Sequence, residues 1–127
     1  MDKIVITSEK APKAIGPYSV AIRAGMFVFS SGQLGLEPHS GNLVTGGIEA
    51  ETRQALTNLS HVLEDSGSGM QLVVKTTVFL KDMNDFSKMN AVYAEFFPEN
   101  PPARSTVQAA ALPKGGSVEI EVVAFVK

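Results

Sequence analysis

The sequence contains no cysteine and no tryptophan, and its only histidines are His39 and His61. Without cysteine the chain can form neither a disulfide framework nor a thiol nucleophile. Two histidines in different parts of the chain are too few for a zinc site, so we expect neither a metal nor a cofactor. Long apolar runs are also missing. None approaches the ~18 residues of a membrane span, and the first, residues 4–6, is too short for the core of an export signal.

Charge of one sign is not in excess either. The chain has 11 basic and 13 acidic residues and a formal net charge of −2. Nucleic-acid-binding proteins usually present a basic face, so RNA and DNA are disfavoured as partners. A hydrophobic content of 44% over 127 residues excludes disorder and fits a single domain, 1–127. We expect a soluble, cytoplasmic protein that does not bind membranes.

What the chain does contain is a set of short alternating runs interrupted by two helical patterns. Alternating apolar residues predict strands over residues 4–6, 18–23, 26–31, 72–80, 104–112 and 118–126. Residues 48–65 and 86–97 repeat apolar side chains at helical spacing. The glycines of residues 66–69 should end the first helix. The second should begin at Asn84 or Asp85 and stop before Pro98.

This order, βββ-α-β-α-ββ, predicts an α+β fold: one mixed sheet of about six strands with both helices packed on one face. Two helices cannot cover both faces. In the last strand Val118 and Ile120 point one way, whereas Val123 and Phe125 point the other. Apolar residues on both faces favour burial of the second face by another copy of the chain. The alternative is a one-sided sheet in which Val123 and Phe125 are exposed.

Two charged residues are the main candidates for chemistry. Arg104 follows Pro101-Pro102-Ala103 and opens a strand. There its planar guanidinium could bind a carboxylate through two parallel hydrogen bonds, or it could be a solvated strand end. Glu119 and Glu121 share one face of an apolar strand. Such surroundings raise the pKa of a carboxyl group and suit it to take up a proton; the alternative is that one or both reach solvent at a sheet edge.

Four uncharged residues are further candidates. Asn90 lies within the apolar stripe of the second helix, so its amide either lines a pocket or ties the helix to a loop. Ser31 and Gly32 end a strand, and their small size either lets a ligand approach the backbone or marks a simple strand end. Tyr18 either supplies a hydroxyl group or packs in the core.

Several motifs occur in order along nearly the whole chain. They are Ala14-Ile15-Gly16-Pro17-Tyr18, Ser31-Gly32-Gln33, residues 74–82, Asn84-Asp85-Phe86, Met89-Asn90-Ala91, Pro102-Ala103-Arg104-Ser105, Leu112-Pro113-Lys114 and Glu119-Ile120-Glu121. Together they resemble the RidA/YjgF/YER057c family of enamine/imine deaminases, also called L-PSP. No single motif is specific, but their number and order are.

The resemblance implies a chorismate-mutase-like fold and a homotrimer with active clefts between subunits. It implies metabolite damage control by hydrolysis of 2-imino acids to 2-oxo acids and ammonia. These imines derive from 2-aminoacrylate and 2-aminocrotonate, by-products of pyridoxal-phosphate-dependent dehydratases. Arg104 would hold the substrate carboxylate, and Glu119 would orient or deprotonate water. Tyr18, Ser31, Gly32 and Asn90 would line the cleft. Many members carry cysteine where this chain has Thr106, so its preferred substrate can differ.

Strand geometry adds an expectation about the assembly. A hairpin about residues 113–117 would place Glu119 opposite Ala110, about 20 Å from Arg104 along the strand. We therefore expect Arg104 of one subunit to face Glu119 of its neighbour. Two other functions stay open. One is a regulatory module that binds 2-oxo acids without turnover and needs Arg104 but not Glu119. The other, disfavoured by the charge balance, is a ribonuclease or translation inhibitor.

Overall fold

The order of helices and strands follows the prediction, with one short strand added after the third. A computed structural model describes residues 2–127. Its elements are β1 (Lys3–Ile6), β2 (Ala21–Ala24), β3 (Phe27–Ser30), β4 (Gln33–Leu34), α1 (Gly47–Asp65), β5 (Val73–Leu80), α2 (Phe86–Phe96), β6 (Ala103–Gln108) and β7 (Val118–Phe125).

The strands form one mixed sheet in the spatial order β1-β2-β3-β7-β5-β6, with β4 also paired to β7. Neighbouring strands run antiparallel except β5 and β6, which are parallel. The predicted α+β architecture with a mixed sheet is confirmed. The described chain has seven strands rather than about six because β4, only two residues long, is too short to give an alternating signal.

The predicted hairpin between the last two strands is wrong. β6 lies beside β5, where Arg104 pairs with Thr76, and β7 lies on the other side of β5, where Glu119 pairs with Phe79. The apolar residues on both faces of β7 suit a central strand. β6 alternates partly buried and exposed residues, as an edge strand does.

The alternation of apolar residues overestimated the lengths of two strands. β6 ends at Gln108, so residues 109–112 lie outside the sheet and Ala110 does not oppose Glu119. β2 begins only at Ala21, and Tyr18 belongs to a preceding turn in which its N–H donates to the Gly16 carbonyl at 2.8 Å. Tyr18 is therefore a loop residue, 46% exposed, rather than part of a strand.

The core lies between one face of the sheet and both helices. Leu56, Leu59 and Leu63 of α1 pack with Val118 and Ile120 of β7, and all five are fully buried. Burying such a side chain stabilises the fold by about 1.5–3 kcal/mol. From α2, Met89 and Tyr93 are buried in this core, and Phe96 packs against it. Both helices therefore lie on one face, as predicted.

Two contacts fix the ends of α1. At its C-terminus Gly67 has φ +80° and the Ser68 N–H donates to the Leu63 carbonyl at 2.8 Å, so the predicted glycine cap is confirmed. Near its N-terminus Glu51 points inward and is only 6% exposed. Its two carboxylate oxygens accept the Ser117 N–H at 2.8 Å and the Ser117 hydroxyl at 2.9 Å. This pair ties α1 to the residue that precedes β7.

The opposite face of the sheet exposes large apolar side chains. Phe29 of β3, Val107 of β6 and Phe125 of β7 are 46%, 44% and 38% exposed. The rings of Phe27 and Phe125 stack on this face with centroids 5.3 Å apart. This is the face that the sequence predicts to be covered by another copy.

Candidate active site

Two aromatic rings of α2 hold Arg104. Its guanidinium carbon lies 4.7 Å from the ring centre of Tyr93 and 5.4 Å from that of Phe86. Such cation–π contacts are worth about 0.5–1 kcal/mol at exposed sites and orient the guanidinium plane. Tyr93 is itself fixed, since its hydroxyl shares a 2.8 Å hydrogen bond with Thr76 Oγ1, and burial raises its pKa. Within the described residues the Arg104 guanidinium has no carboxylate partner, so its donors are available to a ligand.

Two polar atoms without partners accompany Arg104. Asn90 lies four residues after Phe86 and three before Tyr93, so it shares their face of α2. Thr106 lies two residues after Arg104 on β6 and points to the same side of the sheet. Asn90 Oδ1 and Thr106 Oγ1 are buried and have no hydrogen-bond partner in residues 2–127. Because buried polar atoms are nearly always bonded, both are candidates to contact a ligand beside Arg104.

Glu119 lines a separate cleft of about 290 Å³. It lies on the sheet face away from the helices, since Val118 and Ile120 on either side are buried in the core. The lining residues are Ile15, Tyr18, Ser31, Gly32, Pro113 and Glu119. Four predicted site residues, scattered along the chain, therefore meet in space.

The Glu119 carboxyl group has a raised pKa. Burial is the main cause, and the charge of Glu121 on the same sheet face is the second. Both effects favour the neutral acid, so the ionised form of Glu119 accepts a proton more readily than an exposed carboxylate. This property suits a base that acts on water.

Hydrogen bonds within two loops shape the wall of the Glu119 cleft. The Tyr18 hydroxyl oxygen accepts the Ile15 N–H at 3.2 Å, which closes the loop on itself. The Ser31 hydroxyl donates to the Ser19 carbonyl at 2.6 Å, and the Ser31 N–H donates to the Val20 carbonyl at 2.9 Å. The Ser31 hydroxyl proton is therefore used in the hydrogen bond that holds the end of β3 to this loop.

The Arg104 cluster, which consists of Arg104, Phe86, Tyr93, Asn90 and Thr106, is separate from the Glu119 cleft in one chain. The first lies on the helix side of the edge strand β6, and the second lies on the opposite side of the central strand β7. β5 separates the two strands. A small substrate cannot touch both groups of the same chain.

Other clefts and clusters are less informative. A larger cleft of about 450 Å³ lies between residues 8–15 and 36–41, and it contains none of the predicted site residues. Among residues 2–127, no group of three or more histidine, aspartate and glutamate side chains could hold a metal ion. Neither helix of this part of the chain is long and apolar enough to cross a bilayer.

Comparison with known proteins settles the family. Residues 8–126 match the family model described as Endoribonuclease L-PSP. The chain belongs to the L-PSP family. It is 52% identical to the 2-iminobutanoate/2-iminopropanoate deaminase of Bos taurus over 120 aligned residues. The alignment covers 94% of this chain and 88% of that protein.

Solved structures of L-PSP relatives share the fold. RidA from an Antarctic Psychrobacter species has a TM-score of 0.93 at 41% identity, covering 97% of this chain and 99% of the other. TdcF of E. coli, solved with bound serine, has a TM-score of 0.93 at 36% identity, covering 98% and 99%. The resemblance drawn from the motifs is confirmed.

The sequence pattern missed part of this candidate site. The helical stripe that contains Phe86 and Tyr93 predicts core residues, and Tyr93 is indeed buried, yet both rings also hold the Arg104 guanidinium. Ile15 and Pro113 line the Glu119 cleft without having been singled out. Their presence in motifs of the resemblance was the available signal.

Proposed function

We propose that this chain hydrolyses short-lived 2-imino acids, formed from enamines such as 2-aminoacrylate and 2-aminocrotonate, to 2-oxo acids and ammonia. One observation carries the proposal. A guanidinium without a carboxylate partner and a carboxyl group of raised pKa occur together in a chain whose Bos taurus relative is named for this reaction.

Arg104 binds the substrate carboxylate in this proposal. A guanidinium donates two parallel hydrogen bonds to a carboxylate, and the stacking on Tyr93 and Phe86 limits its freedom before the substrate arrives. The TdcF relative holds serine, which carries the same carboxylate group. Asn90 Oδ1 and Thr106 Oγ1 offer hydrogen bonds to the remainder of the substrate.

Glu119 acts on the attacking water. It takes a proton from water as the oxygen bonds to C2 of the protonated imine, which gives a carbinolamine. Glu119 then passes that proton to the nitrogen and accepts the hydroxyl proton as the C–N bond breaks. It returns this last proton to the departing ammonia, so the carboxylate is regenerated. One water is consumed, and ammonium and the 2-oxo acid are released. Because the iminium carbon is already electrophilic, an anchored substrate and one base are sufficient.

The complete site lies between two copies of the chain. The Arg104 cluster of one copy faces the Glu119 cleft of the next, and the assembly is the homotrimer that the resemblance implies. The exposure of Phe29, Val107 and Phe125 on one sheet face supports association, because apolar patches of this kind are uncommon on monomers. We place the activity in the cytoplasm, where the absence of cysteine suits reducing conditions.

A coupled assay tests the function. A serine/threonine dehydratase generates the imine from threonine, and 2-oxo acid formation is followed with and without this chain. The imine also hydrolyses unaided, so the informative quantity is the initial rate rather than the final yield. We expect a faster initial rate that depends on the concentration of the chain. Equal rates with and without it would contradict the proposal.

The family description names a second activity, RNA cleavage. The same preparation should be incubated with a labelled RNA, alongside an Arg104→Ala variant. We expect no cleavage, since a formal net charge of −2 gives little attraction for a polyanion.

Glu119→Gln distinguishes the deaminase from a module that only binds 2-oxo acids. In a deaminase this change should abolish the acceleration of imine hydrolysis and leave 2-oxo acid binding intact. A module that only binds would accelerate hydrolysis neither before nor after the change.

A further inference from the structure

Glu119 occupies space that a side chain at position 32 would need. A Cβ atom built on Gly32 would lie 2.7 Å from Glu119 Cδ, 2.8 Å from Cγ and 2.9 Å from Oε1. Non-bonded contacts of Cβ atoms shorter than 3.0 Å are essentially never seen in proteins. Any residue other than glycine at this position therefore displaces the Glu119 side chain or the backbone around it.

Backbone conformation does not demand glycine here. Six glycines of the described chain have φ between +58° and +119°, the region that favours glycine, and Gly32 is not one of them. Alanine is thus compatible with the local backbone. The three atoms nearest to the added Cβ all belong to the Glu119 side chain.

The backbone around this glycine is fixed by a β-bulge. Phe29 of β3 pairs with Val123 of β7, and Gln33 of β4 pairs with Ile120. Four residues on the first side therefore span the same length as three residues on β7, which is the mark of a bulge. Ser30 Oγ accepts the Val122 N–H at 2.9 Å, which fastens the bulge to β7. The Ser31 hydroxyl fastens it to the preceding loop. With both sides held, the backbone cannot retreat, and the Glu119 side chain must move instead.

We propose that Gly32 is a positioning residue for Glu119: because it has no side chain, the carboxyl group can lie against the bulge and face the cleft. This inference rests on the proposed function, in which Glu119 acts on water. A methyl group at position 32 turns the carboxyl group away from the wall and toward solvent. The water then loses its alignment with the imine carbon, and the burial that raises the pKa of Glu119 decreases.

A double-mutant cycle tests the proposal. In the native background, Gly32→Ala should lower kcat/KM in the coupled assay by about 10-fold to 100-fold, the effect of a misplacement of about 1 Å. In a Glu119→Ala background the same change should alter the residual rate less than about twofold, since no carboxyl group is left to displace. The acid limb of the pH–rate profile of Gly32→Ala should also move to lower pH.

Gly69→Ala is the matched control. It also adds a methyl group, here on extended backbone, and the nearest atom, Gln71 Oε1 at 2.7 Å, again belongs to a flexible side chain, but neither residue lines the Glu119 cleft. We expect its kcat/KM to stay within about twofold of the native value. The inference is overturned if Gly32→Ala behaves like this control, or if it costs the same factor with and without Glu119.

The steric relationship is also measurable without activity. At pH 4, where the Glu119 carboxyl group is largely neutral, Gly32→Ala should lower the thermal midpoint and should leave it nearly unchanged in the Glu119→Ala background. If the native chain does not accelerate imine hydrolysis, the proposed function fails, and this thermal cycle alone decides whether Gly32 positions Glu119. Equal thermal effects in both backgrounds would overturn the positioning role.

Discussion

Arg104 and Glu119 lie on opposite faces of the same sheet. Arg104 stacks on the aromatic rings of α2, whereas Glu119 points away from the helices between the buried residues Val118 and Ile120. The distance expected from a hairpin of the last two strands does not apply, because β5 lies between those strands. Because the two groups lie on opposite faces, one chain still cannot present both of them to one small molecule.

Changes at Arg104 should act on ligand binding. Arg104→Lys keeps the charge but loses the planar pair of donors, and Arg104→Ala loses both. We expect the Kd of 2-oxobutanoate, measured by calorimetry, to rise by about 10-fold to 100-fold for Ala and by less for Lys, since a charge-assisted hydrogen bond contributes about 1.5–3 kcal/mol. Unchanged binding by Arg104→Ala would remove Arg104 from the site.

Tyr93 combines two roles that two variants separate. Tyr93→Phe keeps the ring under Arg104 but leaves Thr76 Oγ1 buried without its partner. We expect a stability loss of about 1–2 kcal/mol in urea unfolding, with 2-oxobutanoate binding retained. Tyr93→Leu also removes the ring, so binding should weaken. Equal binding by both variants would show that the ring does not hold the guanidinium.

The raised pKa of Glu119 predicts how stability depends on pH. A carboxyl group whose pKa is higher in the folded than in the unfolded chain stabilises the fold below the unfolded value of about 4.3. That contribution is lost as pH rises through the folded pKa. Glu119→Gln should therefore gain thermal stability relative to the native chain between pH 4 and pH 7. A difference that stays constant over this range would argue against the raised pKa.

Glu121 offers an independent test of the same group. Its charge is the second cause of the raised pKa, after burial. Glu121→Gln should lower the pKa of Glu119 and shift the acid limb of the pH–rate profile to lower pH, while the rate at the plateau is preserved. An unmoved limb would mean that a different group titrates in the reaction.

Glu51 should matter for stability. Glu51→Ala leaves the Ser117 N–H and hydroxyl without their acceptor, and we expect a loss of about 2–3 kcal/mol in urea unfolding. Glu51→Gln keeps an acceptor for the N–H and should lose less. Glu49→Ala, an exposed change in the first turn of the same helix, is the control and should cost under about 1 kcal/mol. Equal losses for Glu49→Ala and Glu51→Ala would contradict the role of the buried pair.

Periodicity predicted faces well and neighbours poorly. The alternation of Val118, Ile120, Val122 and Ala124 identified the buried face of β7, and the glycine after Ser66 identified the end of α1. A repeat of two says which side chains share a face but not which strand lies alongside. The pattern therefore locates β6 and β7 but does not show that β5 lies between them.

The candidate site was less predictable from the sequence than the faces of the strands and helices. Isolated polar residues such as Asn90 and Tyr18 allowed structural and functional interpretations, and only the motif resemblance brought them together with Glu119. The second role of Tyr93 has no separate signal, because an aromatic residue at helical spacing fits a core as well as a support for arginine. The closeness of Gly32 to Glu119 depends on a bulge, which short-range patterns do not encode.

Mixing two inactive variants tests the shared site most directly. Arg104→Ala and Glu119→Gln each damage one half. If the halves come from neighbouring copies, unfolding the two together and refolding them should restore both native side chains in about a quarter of the sites. We predict that the mixture recovers about a quarter of the native initial rate of 2-oxo acid formation, whereas each variant refolded alone keeps only its own low residual rate. A mixture no more active than the separate variants would contradict a site built from two copies.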